Sequence, residues 1–307
     1  IDVSVSSGSA LEYGYQIRNA SATSSANFNT IKNCKVTLNR TNTSSIGVIV
    51  TSSTTGGGVT PTASSGSNSD NTILSVQVEN AYAGIFVTSG ATAFPGFNNV
   101  VSGTLANPTV IGAAYTGTPS GSIGGGTTAT YGIQFNNQEN FTINNSVVQN
   151  IVTTTGIIRG IYTLGSRGNS FVHNNVVRGF YRNSTTSTAA INGMDISLST
   201  AAGDHFINVY NNMVSDLTVG YTGSASATRA VKGILLGSGT ATSAYNISHN
   251  SVSIDGSGSP NLSNVCIELG GTTAANNVRN NVFANFTGAQ TGVAKHYIIR
   301  STSATAV

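Results

Sequence analysis

One phrase recurs eight times along these 307 residues: an aliphatic residue, a spacer, two small or amide residues, another spacer, and an apolar residue. It runs Ile31 to Val36, Ile73 to Val78, Val100 to Leu105, Ile143 to Val148, Val172 to Val177, Val209 to Val214, Ile247 to Val252 and Val278 to Phe283. The ends of the phrase are always five residues apart, whereas successive phrases start between 27 and 43 residues apart. A fixed hinge joined by variable connections is the pattern of a β-solenoid. One repeat of such a fold cannot bury its own apolar face and depends on its neighbours to cover it.

A second phrase alternates with the first: a glycine, then apolar-x-apolar, as in Gly47-Val48-Ile49-Val50, Gly132-Ile133-Gln134-Phe135 and Gly233-Ile234-Leu235-Leu236. Cys266-Ile267-Glu268-Leu269 and His296-Tyr297-Ile298-Ile299 fill the same place without the glycine. Alternation of period two predicts strands with one buried face. Stacked coils would file Ile31, Ile73, Val100, Ile143, Val172, Val209, Ile247 and Val278 in one inward column, and Val36 through Phe283 in another. The middle of the first phrase supplies the bend. Its third position is Asn33, Ser75, Ser102, Asn145, Asn174, Asn211, His249 and Asn280. Its fourth is Cys34, Val76, Gly103, Ser146, Asn175, Asn212, Asn250 and Asn281. Asn tolerates the left-handed backbone region, and identical amides in successive coils can bond into a ladder. Ser75 and Val76 should interrupt it.

Hinge and glycine phrase together resemble the right-handed parallel β-helix family, the pectate-lyase-like fold, over about Gly14 to Ile299. The resemblance implies an all-β solenoid of about eight coils with Ser/Thr/Gly-rich surface loops, such as Thr51 to Asn71, Thr116 to Thr130 and Gly256 to Ser263. It does not select an activity, because the fold carries lyases, hydrolases, tailspikes and surface proteins alike. The composition does not break along the chain, so residues 1–307 read as a single β-helix domain. Its ends keep the same style, and we read it as a segment of a longer protein.

Only 7% of residues are charged, with 13 basic against 10 acidic. A net charge of +3 with no basic cluster argues against a nucleic-acid partner. No apolar run is long enough for a membrane helix. Cys34 and Cys266 fall about six coils apart, near 29 Å at ~4.8 Å per coil, too far for a disulfide; two buried thiols are expected. A surface of Ser, Thr, Asn and Gly suits an extracellular or cell-surface location.

Enzymes of the resembled family imply carboxylate clusters, which hold Ca²⁺ in the lyases and act as adjacent aspartates in the polygalacturonases. No two of the ten acidic residues here are adjacent, and no Asp-x-Asp occurs. No metal or other cofactor is expected. The outward column of the glycine phrase reads Gln16, Ile49, Phe86, Gln134, Tyr162, Asp195, Leu235, Glu268 and Ile298. Asp195 and Glu268 would lie two coils apart, roughly 9.6 Å between backbones. That separation is near the one inverting glycosidases use, so these two are the candidate catalytic residues. Phe86, Tyr162 and Leu235 are candidate binding residues, unless a loop or neighbour covers them. The expected function is a non-catalytic structural or adhesive segment, a stalk, fibre or surface-binding module. Its partners would be other protein chains or the remaining domains, with surface glycans as a further candidate. The alternative is a carbohydrate-active or sugar-binding β-helix, as a polysaccharide lyase or glycoside hydrolase.

Overall fold

The computed structural model describes residues 12–54, 56–255, 261–270, 274–287 and 292–302. Of the loop at Gly256 to Ser263, residues 256–260 lie outside the described residues. The chain is a right-handed parallel β-helix. Three long sheets run along it, and every strand pair within them is parallel. The first sheet has nine strands, from Glu12–Arg18 to His296–Ser301, and is built from the glycine phrases. The second has eight strands, from Thr30–Lys32 to Ala275–Arg279, and carries the start of each hinge. The third, from Lys35–Thr37 to Val282–Asn285, carries its end. No helix among the described residues is long and apolar enough to cross a membrane.

The inward columns form one continuous core. Ile73, Ile143, Val172, Val209 and Ile247 are buried and paired in register through the second sheet. Val78, Val148, Val177, Val214 and Val252 do the same in the third. The glycines face inward where the first sheet comes closest to the third. A Cβ built on Gly160 would lie 2.7 Å from Val177 Cγ1 and 2.8 Å from Phe180 Cε2. In the next-to-last coil Cys266 takes this place. It is buried with Sγ 3.3 Å from the Ala284 carbonyl, and burial pushes its thiol up to about 12. Cys34 is only half-buried, contrary to expectation, because it sits on the hinge of the first coil; both cysteines are free.

Two registers differ from those expected. In the third coil Val101, not Val100, is buried and pairs with Ile73 and Ile143. The chain then bulges, leaving Leu105 91% exposed, and resumes at Thr109–Ile111, where Ile111 takes the core place expected of Leu105. In the last coil Ile299 pairs with Ile267, so Arg300, not Ile298, stands beside Glu268. Both shifts occur at an apolar doublet, Val100-Val101 and Ile298-Ile299, where alternation alone leaves two registers open.

The two hinge positions divide the work. The third-position residues Asn33, Ser75, Asn145, Asn174, Asn211, His249 and Asn280 all have φ between 45° and 57°. The fourth position forms the ladder. Asn175 Nδ2 donates to Asn212 Oδ1 (3.0 Å), Asn212 to Asn250 (2.9 Å) and Asn250 to Asn281 (3.0 Å). Each amide also donates to a core-strand carbonyl one coil back, and each Oδ1 accepts a backbone N–H, so every polar atom in the row is used. The amides end at Ser146; Val76 breaks the row as the sequence implies, and Thr109, not the expected Gly103, holds the place in the third coil.

A second ladder was not foreseen. Asn29, Asn71, Asn99 and Gln138 bond in turn at 2.9, 3.2 and 2.8 Å on the approach to the second sheet. In later coils the equivalent approach is filled by buried Phe141, Ser170, Ile207 and Tyr245. A second left-handed column lies in the third sheet, at Asn80, Gly112, Asn150, Gly179 and Asp216.

Asn212→Ala removes four side-chain bonds, two donated by Nδ2 and two accepted by Oδ1, from a site 2% exposed and should lower unfolding free energy by about 2–4 kcal/mol. Asn208→Ala, in the outward amide stack with Asn246, should cost less than about 1 kcal/mol. Gly160→Ala should cost about 1–3 kcal/mol by overpacking. Urea midpoints at unchanged slope check all three.

Candidate functional site

The outer face of the first sheet gathers the candidate residues. Asp195, Leu235 and Glu268 are successive register partners, so the two carboxylates lie two coils apart as the sequence implies. Phe86, Gln134 and Tyr162 continue the same row. Ile49, further along, is fully buried and packs with Ile46, Ala83, Tyr13 and Phe86 in a small satellite cluster. Residues 56 and 57 make that cover: Gly56 lies against Ile49, and Gln16 and Arg18 donate to the carbonyls of Gly56 and Gly57. Phe86, Tyr162 and Leu235 are half-buried, and Asp195 and Glu268 are buried.

Both carboxylates are committed to guanidinium groups. Arg159 Nε lies 2.7 Å from Asp195 Oδ2, which also accepts Asn192 Nδ2 at 2.9 Å. Arg229 Nε is paired with Glu268 Oε2, and Arg300 Nη1 stands 3.6 Å from the same oxygen. Leu235 lies between the two pairs. Arg159 comes from the neighbouring outward row, which reads Tyr131, Arg159, Asn192 and Lys232 in register, whereas Arg229, three residues before Lys232, pairs with Ser263, and Arg300 is the register partner of Glu268 itself. That row escaped the sequence reading. Its signal is an outward residue three before each residue of the first row.

Arg159 also organises the aromatic side. Its guanidinium lies 4.6 Å from the Tyr162 ring centroid and 5.6 Å from that of Tyr131, and Nη1 donates to the Tyr131 hydroxyl at 3.3 Å. Tyr131 and Tyr162 stack at 5.4 Å, and Phe86 meets Tyr131 edge-on at 5.6 Å. The result is a strip of three rings and a cation leading to a neutralised acid. Other nearby arginines in the sequence go elsewhere: Arg167 to Ser199, Arg178 to Gln149 and Arg182 to the Ser187 carbonyl. His173 stacks on Tyr210, and His249 serves as a hinge. Among the described residues no three His, Cys, Asp or Glu side chains converge as metal ligands.

No protein-family model, no curated protein and no solved structure matches this chain.

Lys232 lies between the two ion pairs. Burial pushes its ammonium below the usual lysine range; Glu268 and Asp195 oppose this, and Arg229 and Arg159 add to it. Below the folded value the lysine is charged in both states. Between that value and 10.5 only the unfolded chain holds the proton, so stability rises with pH across that window. The unfolding free energy of the native chain should therefore rise relative to Lys232→Met as pH increases through the alkaline range. Taking the difference cancels the opposing effect of the Tyr245 and Cys266 groups, both pushed up by burial. Urea melts of both chains at several alkaline pH values check this.

Proposed function

We propose that this chain is a non-catalytic segment of an extracellular or surface-attached protein, a stalk, fibre or adhesive module like those of large secreted bacterial β-helix proteins. One observation carries the reading: each member of the glycosidase-like pair, Asp195 and Glu268, is held by arginine. A general acid must keep a proton near neutral pH and release it to the leaving oxygen. A carboxylate oxygen that already accepts a guanidinium N–H is engaged and is not free to meet a leaving oxygen. The sparse charge of the chain, 7%, and its Ser/Thr/Asn/Gly surface suit a projecting or contacting part.

The contact surface is the strip of Phe86, Tyr131 and Tyr162 with Leu235 beyond it. Aromatic and arginine side chains with a half-exposed apolar neighbour are what protein interfaces concentrate at their centres. The partner in this reading is another protein chain or a neighbouring domain of the same protein.

Incubation with neutral and acidic polysaccharides should release no new reducing ends and no unsaturated products above a protein-free blank, with Asp195→Asn indistinguishable from the native chain. Product release by the native chain that disappears in Asp195→Asn would establish the carbohydrate-active alternative and overturn the proposal.

A further inference from the structure

The third sheet carries a groove of about 380 Å³ on the side of the helix away from Asp195 and Glu268. Its floor is Tyr181, Thr218, Asp216 and Asp255, and its wall is Tyr115 and Pro119. The wall belongs to residues 113–122, which leave the coil after Thr109–Ile111 and rejoin it at Ile123–Gly124.

This excursion is firmly anchored. Asn150, 1% exposed and in the left-handed conformation, accepts the Ser120 and Gly121 N–H groups at 2.7 and 2.9 Å and donates to Ser120 Oγ at 2.9 Å. Arg40 donates to the Gly121 carbonyl from the far side. Tyr115 rests on Gly179, where a Cβ would come 2.6 Å from Tyr115 Cδ2; only a glycine admits the ring there. The Tyr115 hydroxyl donates to the Gly117 carbonyl at 2.9 Å. The groove is thus formed before any ligand arrives.

Its chemistry narrows the ligand. Ser215 Oγ donates to Asp216 Oδ2 at 2.8 Å, and no ion pair among the described residues engages Asp216 or Asp255. Ionised carboxylates only accept hydrogen bonds, so the ligand must bring donors. The tyrosine rings offer flat, apolar faces. Arg178, bonded twice to Gln149, already places its guanidinium 5.8 Å from the Tyr115 ring centroid, which disfavours a second cation on that ring. A ligand with an apolar face and a rim of neutral hydroxyl donors satisfies every wall. The volume falls in the ordinary range for small-ligand sites, roughly 300–1,000 Å³.

We propose that this groove binds a neutral pyranoside, its ring against Tyr115 and Tyr181 and its hydroxyls on Asp216 and Asp255. The site shares no residue with the first-sheet face and stands whether or not that face is catalytic.

The test is saturation-transfer NMR and calorimetry on the whole chain. The probes are methyl glucoside, galactoside, mannoside and N-acetylglucosaminide, with methyl glucuronide and Nα-acetyl-lysine methylamide as charged controls. At least one neutral glycoside should bind in the millimolar range and more tightly than either control. Asp216→Asn, isosteric and tolerant of the left-handed backbone, should weaken it about tenfold or more, as should Tyr115→Ala. Tyr162→Ala, on the other face, should leave it unchanged, and thermal melts confirm that each variant is folded. The proposal is overturned if no neutral glycoside binds, if binding survives both groove substitutions, or if the lysine derivative is preferred.

Discussion

Everything in this molecule depends on one coil lying in register on the next, and the buried amide rows enforce that register. Apolar columns alone tolerate sliding along the strands, since a valine packs nearly as well on an isoleucine shifted by two residues. An amide does not. Asn212 must find Asn250 on one side and Asn175 on the other, or a fully buried polar group loses its partners. The left-handed hinge beside each rung fixes where the chain turns. The glycines let the first sheet approach the valines of the third closely enough to leave no gap. Two ladders share the length. The one at Asn29 to Gln138 serves the early coils and the one at Asn175 to Asn281 the later ones; in the coils of Asn99 and Gln138 the second row's place is held by Thr109 and Ser146.

That register converts sequence-distant residues into neighbours and so makes the surface chemistry. Arg159 and Asp195 are 36 residues apart, and Arg229 and Glu268 are 39 apart, yet each pair sits on adjacent coils. The same stacking brings Tyr131 against Tyr162 and places Tyr115 over Gly179. A β-helix of this kind presents its chemistry as rows, and a row's character depends on what the adjacent row contributes. Asp195 and Glu268 alone resemble an acid pair; with Arg159 of the next row, and Arg229 and Arg300 on the coils either side of Glu268, they belong to ion pairs.

The architecture was legible because its signal is repeated and local. The spacing of the hinge, the asparagines at a fixed offset and the period-two strands each recur often enough to outweigh exceptions. Register was legible except at Val100-Val101 and Ile298-Ile299, where two adjacent apolar residues satisfy the alternation equally well. The row position of Asp195 and Glu268 was legible for the same reason as the core. Their arginine partners were not, because pairing needs the lateral order of rows, which a strand pattern does not encode. The groove was invisible in sequence. Its wall lies in a Ser/Thr/Gly tract that reads as an ordinary surface loop, and Asn150 and Gly179 become meaningful only once stacked.

Distances between coils test the central claim directly. Thr30, Thr72, Val100, Thr142, Phe171, Asn208, Asn246 and Asn277 form one outward row of the second sheet, seven steps from end to end. Nitroxide pairs introduced at Thr30 and Asn277, and at Thr72 and Asn277, with both native cysteines replaced, can be measured by double electron–electron resonance. Coils stacked in register predict separations near 34 and 29 Å, falling by ~4.8 Å for each coil removed. Separations that do not follow the number of intervening coils would contradict the stacked register and the sites built on it.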